Sequence, residues 1–391
     1  MSLPAAGAAL SPKRRSRIAV TAFYFAQGLC FSSWASRIPD IKGSLHLSEG
    51  ELGTVLLALP AGQLLTMPFS GRLVTRFGSR RILTIMAAAY ALELTNIGLA
   101  QHTWQLMLAL FVFGICGNMS NIAVNTQGVL AEQLYERPVM ASFHGAWSAA
   151  GVAGALLGLL MNSLQVRPYP HFWAAAAMAI TINILANRYL VPGRGEAKAG
   201  QGAATPFFAR PNGVLVQLGI IGFCSMATEG AMFDWSGVYF KEVIGTRPAL
   251  VPLGYASFMV MMAGGRFLGD WLIVRYGRRR LMQLCGISVT AGLLLSVLLP
   301  YLPAVVPGFM LVGFGVSVMV PSVYSAAGNV AGIPPGRALA FTSGISYLGF
   351  LMGPPLIGYI AQASSLRYSY ALIAVFGVCI TAMVGRLKVI R

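Results

Sequence analysis

Two basic stretches of similar sequence lie about half a chain apart. The first is GRLVTRFGSRR, Gly71 to Arg81, and the second is GRFLGDWLIVRYGRRR, Gly265 to Arg280. When Gly78 is aligned with Gly277, the two stretches are 199 residues apart. Only 10% of the 391 residues are charged, so arginines clustered at two matching points need an explanation. We interpret the two stretches as equivalent turns of a duplicated chain.

The composition indicates a membrane protein. Apolar residues make up 56% of the chain, and several apolar runs reach about 20 residues, which is long enough for a helix to cross a bilayer. The runs are continuous, whereas the strands of a membrane β-barrel alternate apolar and polar residues. The five cysteines fall inside apolar runs without CxxC spacing, so we expect packing residues and no metal site or cofactor. The fold class is therefore predicted to be an all-α polytopic membrane protein.

The apolar runs predict twelve transmembrane helices. Their predicted spans are 18–37, 50–74, 82–100, 104–131, 141–165, 171–190, 212–240, 249–274, 281–300, 304–330, 338–362 and 367–387. A polar segment rich in small residues, VPGRGEAKAGQGAATPFFARP, follows the sixth run and is typical of a flexible linker. The chain is therefore predicted to contain an N-terminal six-helix half (1–190), a cytoplasmic linker (191–211) and a C-terminal six-helix half (212–391).

The basic residues predict the orientation of these helices. Of the 28 lysines and arginines, 22 fall on one predicted side, and the remaining six are Arg37, Lys42, Arg167, Lys241, Arg247 and Arg367. The positive-inside rule assigns the richer side, and with it both termini, to the cytoplasm. Attraction to anionic lipid also accounts for the net charge of +17. We therefore expect the lipid bilayer as a partner and no nucleic acid.

The 199-residue offset recurs in a second pair of segments. HGAWSAAGVAG, His144 to Gly154, aligns with SGISYLGFLMG, Ser343 to Gly353. An even number of helices in each half makes the repeat parallel, which is the organisation of major facilitator transporters. We expect such a chain to act as a monomer on a small-molecule substrate.

The first basic stretch resembles the signature loop of the major facilitator superfamily, G-x-L-a-D-r-x-G-r-k. The matching residues are Gly71, Leu73, Arg76, Gly78 and Arg80. The aspartate of that pattern, which the resemblance implies would clamp the two halves together, is replaced by Thr75 and, in the second copy, by Val274. The nearest acid, Asp270, follows Arg266 by four residues, a spacing that allows an ion pair on one helix face.

Two interpretations of the basic turns remain open. Glycine gives tight backbone geometry, and arginine points towards water and lipid phosphates, so the turns could serve only orientation and chain reversal. Alternatively, they form a gate that locks the two halves when the cytoplasmic side closes. The candidate gating residues are Arg72, Arg76, Gly78, Arg80, Arg266, Asp270, Arg275 and Gly277.

The resemblance extends to a branch of the superfamily. GRFLGDWLIVRYG resembles the fucose-permease-like branch, and TEGAMFDW (228–235) and GPPLIGY (353–359) are similar to YbjJ-type bacterial members. This implies a multi-pass protein of the bacterial inner membrane. Fucose permease carries acids on its first and fourth helices, but Ala35 and Asn121 occupy the matching positions here. Any proton coupling must therefore use other groups.

Three acids lie within apolar runs and away from the predicted helix ends: Glu93, Glu229 and Asp234. An acid in the bilayer centre costs about 2.5–3.5 kcal/mol on insertion scales, so each is a candidate functional residue. Glu229 and Asp234 are about 140° apart around one helix, with Glu229 the deeper. We predict proton coupling at Glu229, with Asp234 second; a permanently hydrogen-bonded acid is the alternative. Glu93 is predicted to be structural.

Amides and aromatic residues suggest the substrate class. Asn118, Asn121 and Asn125 recur on one side of the fourth helix, where they either line a cavity or join neighbouring helices. Amides with aromatic rings are typical of sites for sugars and similar polar solutes. The predicted substrate-binding residues are Gln27, Trp34, Asn118, Asn121, Asn125, Tyr324 and Tyr347. His144 begins the fifth helix, as a gate residue or as a neutral, hydrogen-bonded histidine.

The predicted function is secondary active transport of a small polar, sugar-like solute by alternating access, coupled to protons through Glu229. An exporter of amphipathic drugs or metabolites is one alternative, and a non-transporting membrane receptor is another. Neither a phosphate-binding GxxxxGK[ST] loop nor a catalytic triad occurs, so we do not expect an enzyme.

Overall fold

The structure, a computed structural model, describes residues 11–135, 139–192, 213–330, 333 and 335–387. Six side chains within these ranges lie outside the description: Ala141, Asp270, Pro335, Gly336, Arg337 and Ala340. Most of the predicted linker, 191–211, also lies outside it.

The described chain is built from α-helices and one short 3₁₀ turn, Pro248–Leu250. The helices are α1 (Pro12–Ser44), α2 (Glu49–Leu56), α3 (Ala58–Phe77), α4 (Ser79–Leu99), α5 (Thr103–Gln133), α6 (Met140–Ser163), α7 (Pro168–Asn187), α8 (Gly213–Glu242), α9 (Leu253–Tyr276), α10 (Arg278–Leu298), α11 (Leu302–Ser317), α12 (Met319–Gly328), α13 (Pro335–Ala363) and α14 (Leu366–Arg386). Within the described residues, twelve helical spans are long and apolar enough to cross a membrane, as the sequence predicts.

Two of the twelve spans are each made of two helices. The α2–α3 span breaks at Leu57 and the α11–α12 span breaks at Val318. Each break lies three residues before a proline, Pro60 or Pro321. Proline lacks the backbone N–H, and its ring crowds the carbonyl of the residue four positions earlier, which interrupts the helix at that point. The continuous spans predicted at 50–74 and 304–330 therefore contain a kink.

The two basic turns have the same backbone geometry. Gly78 has φ 86° and ψ 136°, and Gly277 has φ 78° and ψ 146°. Each glycine N–H donates to the carbonyl four residues earlier, of Val74 or Ile273, at 2.9 Å. Residues with a Cβ rarely adopt this positive φ. The predicted turn chemistry is therefore confirmed in both copies of the repeat.

Because successive spans alternate in direction, their ends form two faces. We call the face that carries the start of α1 and the turns at Gly78 and Gly277 the basic end, and the other face the opposite end. In the described residues, one buried apolar cluster contains residues of both halves, including Trp34 and Trp235. Towards the basic end the core divides into one cluster of residues 215–387 and another of residues 19–190. The buried apolar core is therefore shared by the two halves towards the opposite end and divided towards the basic end, where α6 and α9 still approach each other at Gly145 and Phe267.

Candidate functional site

Arg266 of α9 lies at the seam between the two halves. Its Nη2 is 3.1 Å from Oε1 of Glu229 on α8, and its Nη1 donates to Oγ of Ser148 on α6 at 3.2 Å. The arginine side chain is 27% exposed, and the glutamate side chain is 12% exposed. Ser148 belongs to the other half and is fully buried. One guanidinium therefore holds an acid of its own half and a hydroxyl of the other half.

The sequence did not predict this pairing. It suggests Asp270 as a partner of Arg266, and for Glu229 it offers either proton coupling or a permanent hydrogen bond to a neighbouring helix. The structure places Arg266 against Glu229, 37 residues away in the chain. An unpaired carboxylate in an apolar interior is costly, and an arginine on the adjacent helix compensates its charge. The side chain of Asp270 lies outside the described residues, so its predicted role stays a prediction.

Tyrosines of two further helices, α12 and α13, lie near Glu229 of the ion pair. Tyr324 of α12 and Tyr347 of α13 are both within electrostatic range of the Glu229 carboxylate. Tyr255 of α9 is also within that range. Two of the predicted substrate-binding residues therefore lie in the same region of the C-terminal half as the predicted coupling acid.

Polar side chains of the N-terminal half continue the site. Tyr24 OH donates to Oδ1 of Asn125 at 2.7 Å, and Asn125 Nδ2 donates to the carbonyl of Asn121 at 2.8 Å. The edge of the Tyr24 ring meets the imidazole of His144, with centroids 5.2 Å apart. His144 is exposed and lies within electrostatic range of Arg266. Tyr24 therefore contacts both the amide of Asn125 and the ring of His144.

Three other predicted binding residues lie elsewhere. Asn118 Nδ2 donates to Thr66 Oγ1 and Ser70 Oγ on α3, both at 3.0 Å. Gln27 Nε2 donates to a serine hydroxyl of α5 and is buried. Trp34 is 1% exposed within the core shared by the two halves. In this conformation Asn118 and Gln27 join helices of the N-terminal half, and Trp34 packs in the core.

An aromatic layer borders the site and was not recognised from the sequence. Phe233 follows Glu229 by one turn towards the opposite end. Its ring contacts rings of four other helices, with centroid separations of 5.3 to 6.4 Å: Phe31, Trp147, Phe258 and Phe350. The layer thus includes residues of both halves. Nothing in the sequence distinguishes these residues from ordinary apolar residues of a membrane helix.

Two lysines join the two halves at the opposite end. Lys42 Nζ is 3.1 Å from Glu49 Oε1 and also pairs with Glu242 of the other half. Lys241 Nζ donates to the carbonyl of Pro39 at 2.9 Å. Lys42 and Lys241 are 199 residues apart and are therefore equivalent in the repeat. Each lysine thus reaches from the end of the first helix of its own half into the other half.

Backbone contact also seals this end. A Cβ built on Gly358 of α13 would lie 2.5 Å from the carbonyl oxygen of Glu49 and 2.9 Å from the Cα of Gly53. Thr54 Oγ1 and Tyr359 OH are 2.9 Å apart. Small residues allow helices to approach this closely in membranes. The opposite end is therefore closed.

Hydrogen bonds described at the basic end instead join helices of the same half. Arg17 Nη2 donates to Ser142 Oγ at 3.3 Å, and Arg279 donates to the carbonyl of Gly385. Among the predicted gating residues, Arg76 stacks on its neighbour Phe77 at 5.2 Å, and Arg275 is similarly close to nearby aromatic rings. Arg72, Arg76 and Arg275 are exposed. Their gating role therefore stays a prediction about another conformation.

The remaining interior acids lie apart from Arg266. Asp234 is within electrostatic range of Tyr255 and Tyr370 in the C-terminal half. Glu93 Oε2 accepts a hydrogen bond from Asn96 Nδ2 at 3.0 Å on the same helix, α4. Glu229 and Asp234 therefore belong to the same helix but have different neighbours. Among the described contacts, the one with Arg266 at the seam is made by Glu229.

A sequence profile of the Major Facilitator Superfamily matches residues 20–335. The chain belongs to this superfamily. A major facilitator chain with twelve membrane spans is a membrane transporter and not an enzyme. The sequence-based recognition of the superfamily is therefore confirmed, as is the predicted fold class.

Relatives agree with this assignment. The chain is 32% identical to the "Uncharacterized transporter y4wD" of Sinorhizobium fredii (strain NBRC 101917 / NGR234), covering 94% of this chain and 97% of that one. Its fold is similar to that of the nucleoside transporter NupG, with a TM-score of 0.72, 13% identity and coverage of 97% and 100%. It is also similar to the major facilitator transporter FucP in the outward conformation, with a TM-score of 0.62, 14% identity and coverage of 96% and 99%.

Proposed function

We propose that the chain carries a small polar organic solute across a bacterial inner membrane by alternating access, with the basic end and both termini in the cytoplasm. The observation that supports this most strongly is the Arg266–Glu229–Ser148 cluster at the seam. A site shared by two halves changes its geometry when the halves rock, which is what alternating access requires. Under this proposal the opposite end, where the halves are in contact, faces the outside, and the divided core faces the cytoplasm.

The surroundings of the cluster favour a polar, sugar-like solute. Asn121 and Asn125 offer amide groups on one side, and Tyr324 and Tyr347 offer hydroxyl groups on the other. The aromatic layer around Phe233 provides flat apolar faces. Sugar rings stack their C–H faces on aromatic rings and pair their hydroxyls with amides. The fold shared with a nucleoside transporter is consistent with a solute of this kind.

Proton coupling is proposed at Glu229. Protonation of Glu229 removes one charge of its ion pair with Arg266 and so weakens the interaction. Since Arg266 also holds Ser148 of the other half, the proton changes the relative stability of conformations in which the halves are placed differently. This is the property that a proton-coupled transporter needs.

Counterflow in proteoliposomes, with hexoses, glucosamine, sugar acids, nucleosides and amphipathic drugs as the panel, tests the transport proposal. Asn125→Ala should weaken binding of the transported solute by on the order of 5- to 100-fold, because one or two hydrogen bonds are lost. Asn118→Ala is the matched control: it should lower thermal stability, through lost bonds to α3, and keep the affinity. Exchange of no solute would favour the receptor alternative, and exchange of amphipathic drugs alone would favour the exporter.

A second comparison tests coupling. Glu229→Gln should keep solute exchange and lose uphill accumulation driven by a pH gradient, because exchange does not require Glu229 to release its proton. Asp234→Asn should have the smaller effect. Accumulation by Glu229→Gln at the level of the parent would show that another group couples transport to protons.

A further inference from the structure

We propose that the transported solute is a small hydroxylated organic anion, whose anionic group binds Arg266 when Glu229 is protonated. This inference rests on the proposed transport function and names the substrate class of the same site. It follows from the charge balance at the seam, from the relative exposure of the two partners and from the groups around them.

The charge balance links the anion to the proton. With both groups ionised, the Arg266–Glu229 pair carries no net charge. When Glu229 takes up a proton, the guanidinium is left as an uncompensated charge in a largely apolar interior, which is strongly unfavourable. An anion at Arg266 restores neutrality. Proton and anion therefore stabilise each other's binding, with one of each per transport cycle and no net charge moved.

The exposure of the Arg266 and Glu229 side chains indicates which of them contacts the solute. The Arg266 side chain is 27% exposed, whereas the Glu229 side chain is 12% exposed. A solute that enters from the basic end therefore reaches the guanidinium more easily than the carboxylate. The planar guanidinium can bind a carboxylate through two parallel hydrogen bonds. A cationic solute would instead have to reach the less exposed glutamate.

The neighbouring groups complete the site for a hydroxylated anion. The hydroxyls of Tyr324 and Tyr347 lie on the side of Glu229, and the amides of Asn121 and Asn125 lie on the other side of the seam. These groups can pair with several hydroxyls of a solute. Sugar acids and related hydroxy acids combine such hydroxyls with one carboxylate.

Other titratable groups lie near the ion pair, and the experiment must distinguish their proton binding from that of Glu229. They come from five helices and comprise Tyr24, His144, Tyr255, Tyr324 and Tyr347. Asp270, one turn after Arg266 on α9, has a side chain outside the described residues. A protonated His144 would also attract an anion, so His144→Gln and Asp270→Asn are included in the test.

The first test uses calorimetry on the purified full chain, with gluconate and glucuronate as anionic probes. Glucose is the neutral control and glucosamine the cationic one. Gluconate or glucuronate should bind with uptake of one proton, measured in two buffers of different ionisation enthalpy. Its affinity should rise up to tenfold for each unit of decrease in pH while Glu229 is ionised in the free protein. Glucose and glucosamine should bind at least tenfold more weakly.

Variants assign these effects to residues. Glu229→Gln should bind the anion without proton uptake and without the pH dependence. Arg266→Gln combined with Glu229→Gln removes both charges, which avoids leaving an unpaired one, and should lose anion binding at least tenfold. Glu93→Gln, whose acid lies away from the seam, should behave as the parent does. His144→Gln and Asp270→Asn should both retain proton uptake.

The outcomes separate this inference from the proposed function. If glucose or glucosamine is exchanged in counterflow and neither anion binds, the anion inference is overturned and the transport proposal stands. Loss of proton uptake in His144→Gln or Asp270→Asn, with retention in Glu229→Gln, also overturns it. If no member of the counterflow panel is exchanged, both proposals fail. Uptake of the anion should also be independent of an imposed membrane potential, and a dependence on it would contradict the one-to-one balance.

Discussion

The two ends of the bundle use charge in opposite ways. At the basic end, arginines such as Arg72, Arg76 and Arg275 are numerous and exposed. At the opposite end basic residues are few, yet Lys42 is only 8% exposed and pairs with acids of both halves. Exposed charges are hydrated and screened by salt, so they contribute little to holding helices together. At the opposite end, by contrast, two of the basic residues, Arg37 and Lys42, are buried and paired with acids, and the pair of Lys42 with Glu242 joins the two halves.

The apolar core shows the same difference. One buried cluster contains residues of both halves towards the opposite end, whereas separate clusters belong to each half towards the basic end. Closure at one end therefore combines apolar burial, backbone contact and the lysine pair. Three experiments can break or sharpen this comparison.

The largest effect on transport is expected for Gly358→Leu. A Cβ at this position would lie 2.5 Å from a backbone oxygen of α2, so the closed contact between α2 and α13 cannot form without a shift of the backbone. We expect counterflow to fall at least about tenfold, because closure of the opposite end is half of the transport cycle. Hydrogen exchange of α2 should become faster in the same variant.

Gly71→Leu is the control for this substitution. Gly71 lies near the basic end of α3, and a Cβ there would have no heavy atom within 4 Å. Transport by this variant should remain near that of the parent. Equal losses in the two variants, or an unchanged rate in Gly358→Leu, would contradict the assignment of α2 and α13 to the closed end.

A smaller effect, on the opening of the opposite end, is expected for Lys42→Met. This change removes the ion pair between the halves and leaves Glu49 and Glu242 as neighbouring carboxylates without the lysine between them. We expect the equilibrium to move towards opening of the opposite end by about 1–2 kcal/mol, or about 5–30-fold. Hydrogen exchange at the ends of α1 and α8 measures this shift.

Lys241, which is equivalent to Lys42 in the repeat, provides the comparison. Lys241→Met removes a hydrogen bond to the neutral carbonyl of Pro39, which is worth about 0.5–1.5 kcal/mol or somewhat more for a charged donor. We therefore expect a smaller shift than for Lys42→Met. A larger shift for Lys241→Met would mean that the carbonyl bond, and not the ion pair, dominates the lock.

The smallest effect on transport is expected for the two basic turns. Gly78→Ala and Gly277→Ala place a Cβ on a residue with positive φ, which should lower stability by about 1–3 kcal/mol in each variant. Because the two turns have the same geometry, the decreases in melting temperature should be similar. A large difference between them would show that one turn has a role beyond chain reversal.

The sequence by itself determined the features that depend on local physics. The length of each apolar run predicts the twelve spans, since the bilayer thickness sets the length of a helix that crosses it. Glycine at 78 and 277 predicts the two turns, since glycine, having no Cβ, adopts the positive φ of a tight turn at little cost. The kinks at Leu57 and Val318 do not follow in the same way: Pro60 and Pro321 each lie three residues after a break, whereas Pro39, Pro68 and Pro307 lie within unbroken helices.

Only the tertiary structure decided which side chains meet. Arg266 pairs with Glu229, 37 residues away in the chain, and no sequence spacing indicates this contact. Asn118 bonds to α3 while Asn125 bonds to Tyr24, although both belong to one polar pattern. These partners depend on the rotation and contact of helices far apart in the chain, and helical periodicity specifies a face without specifying the helix that packs against it.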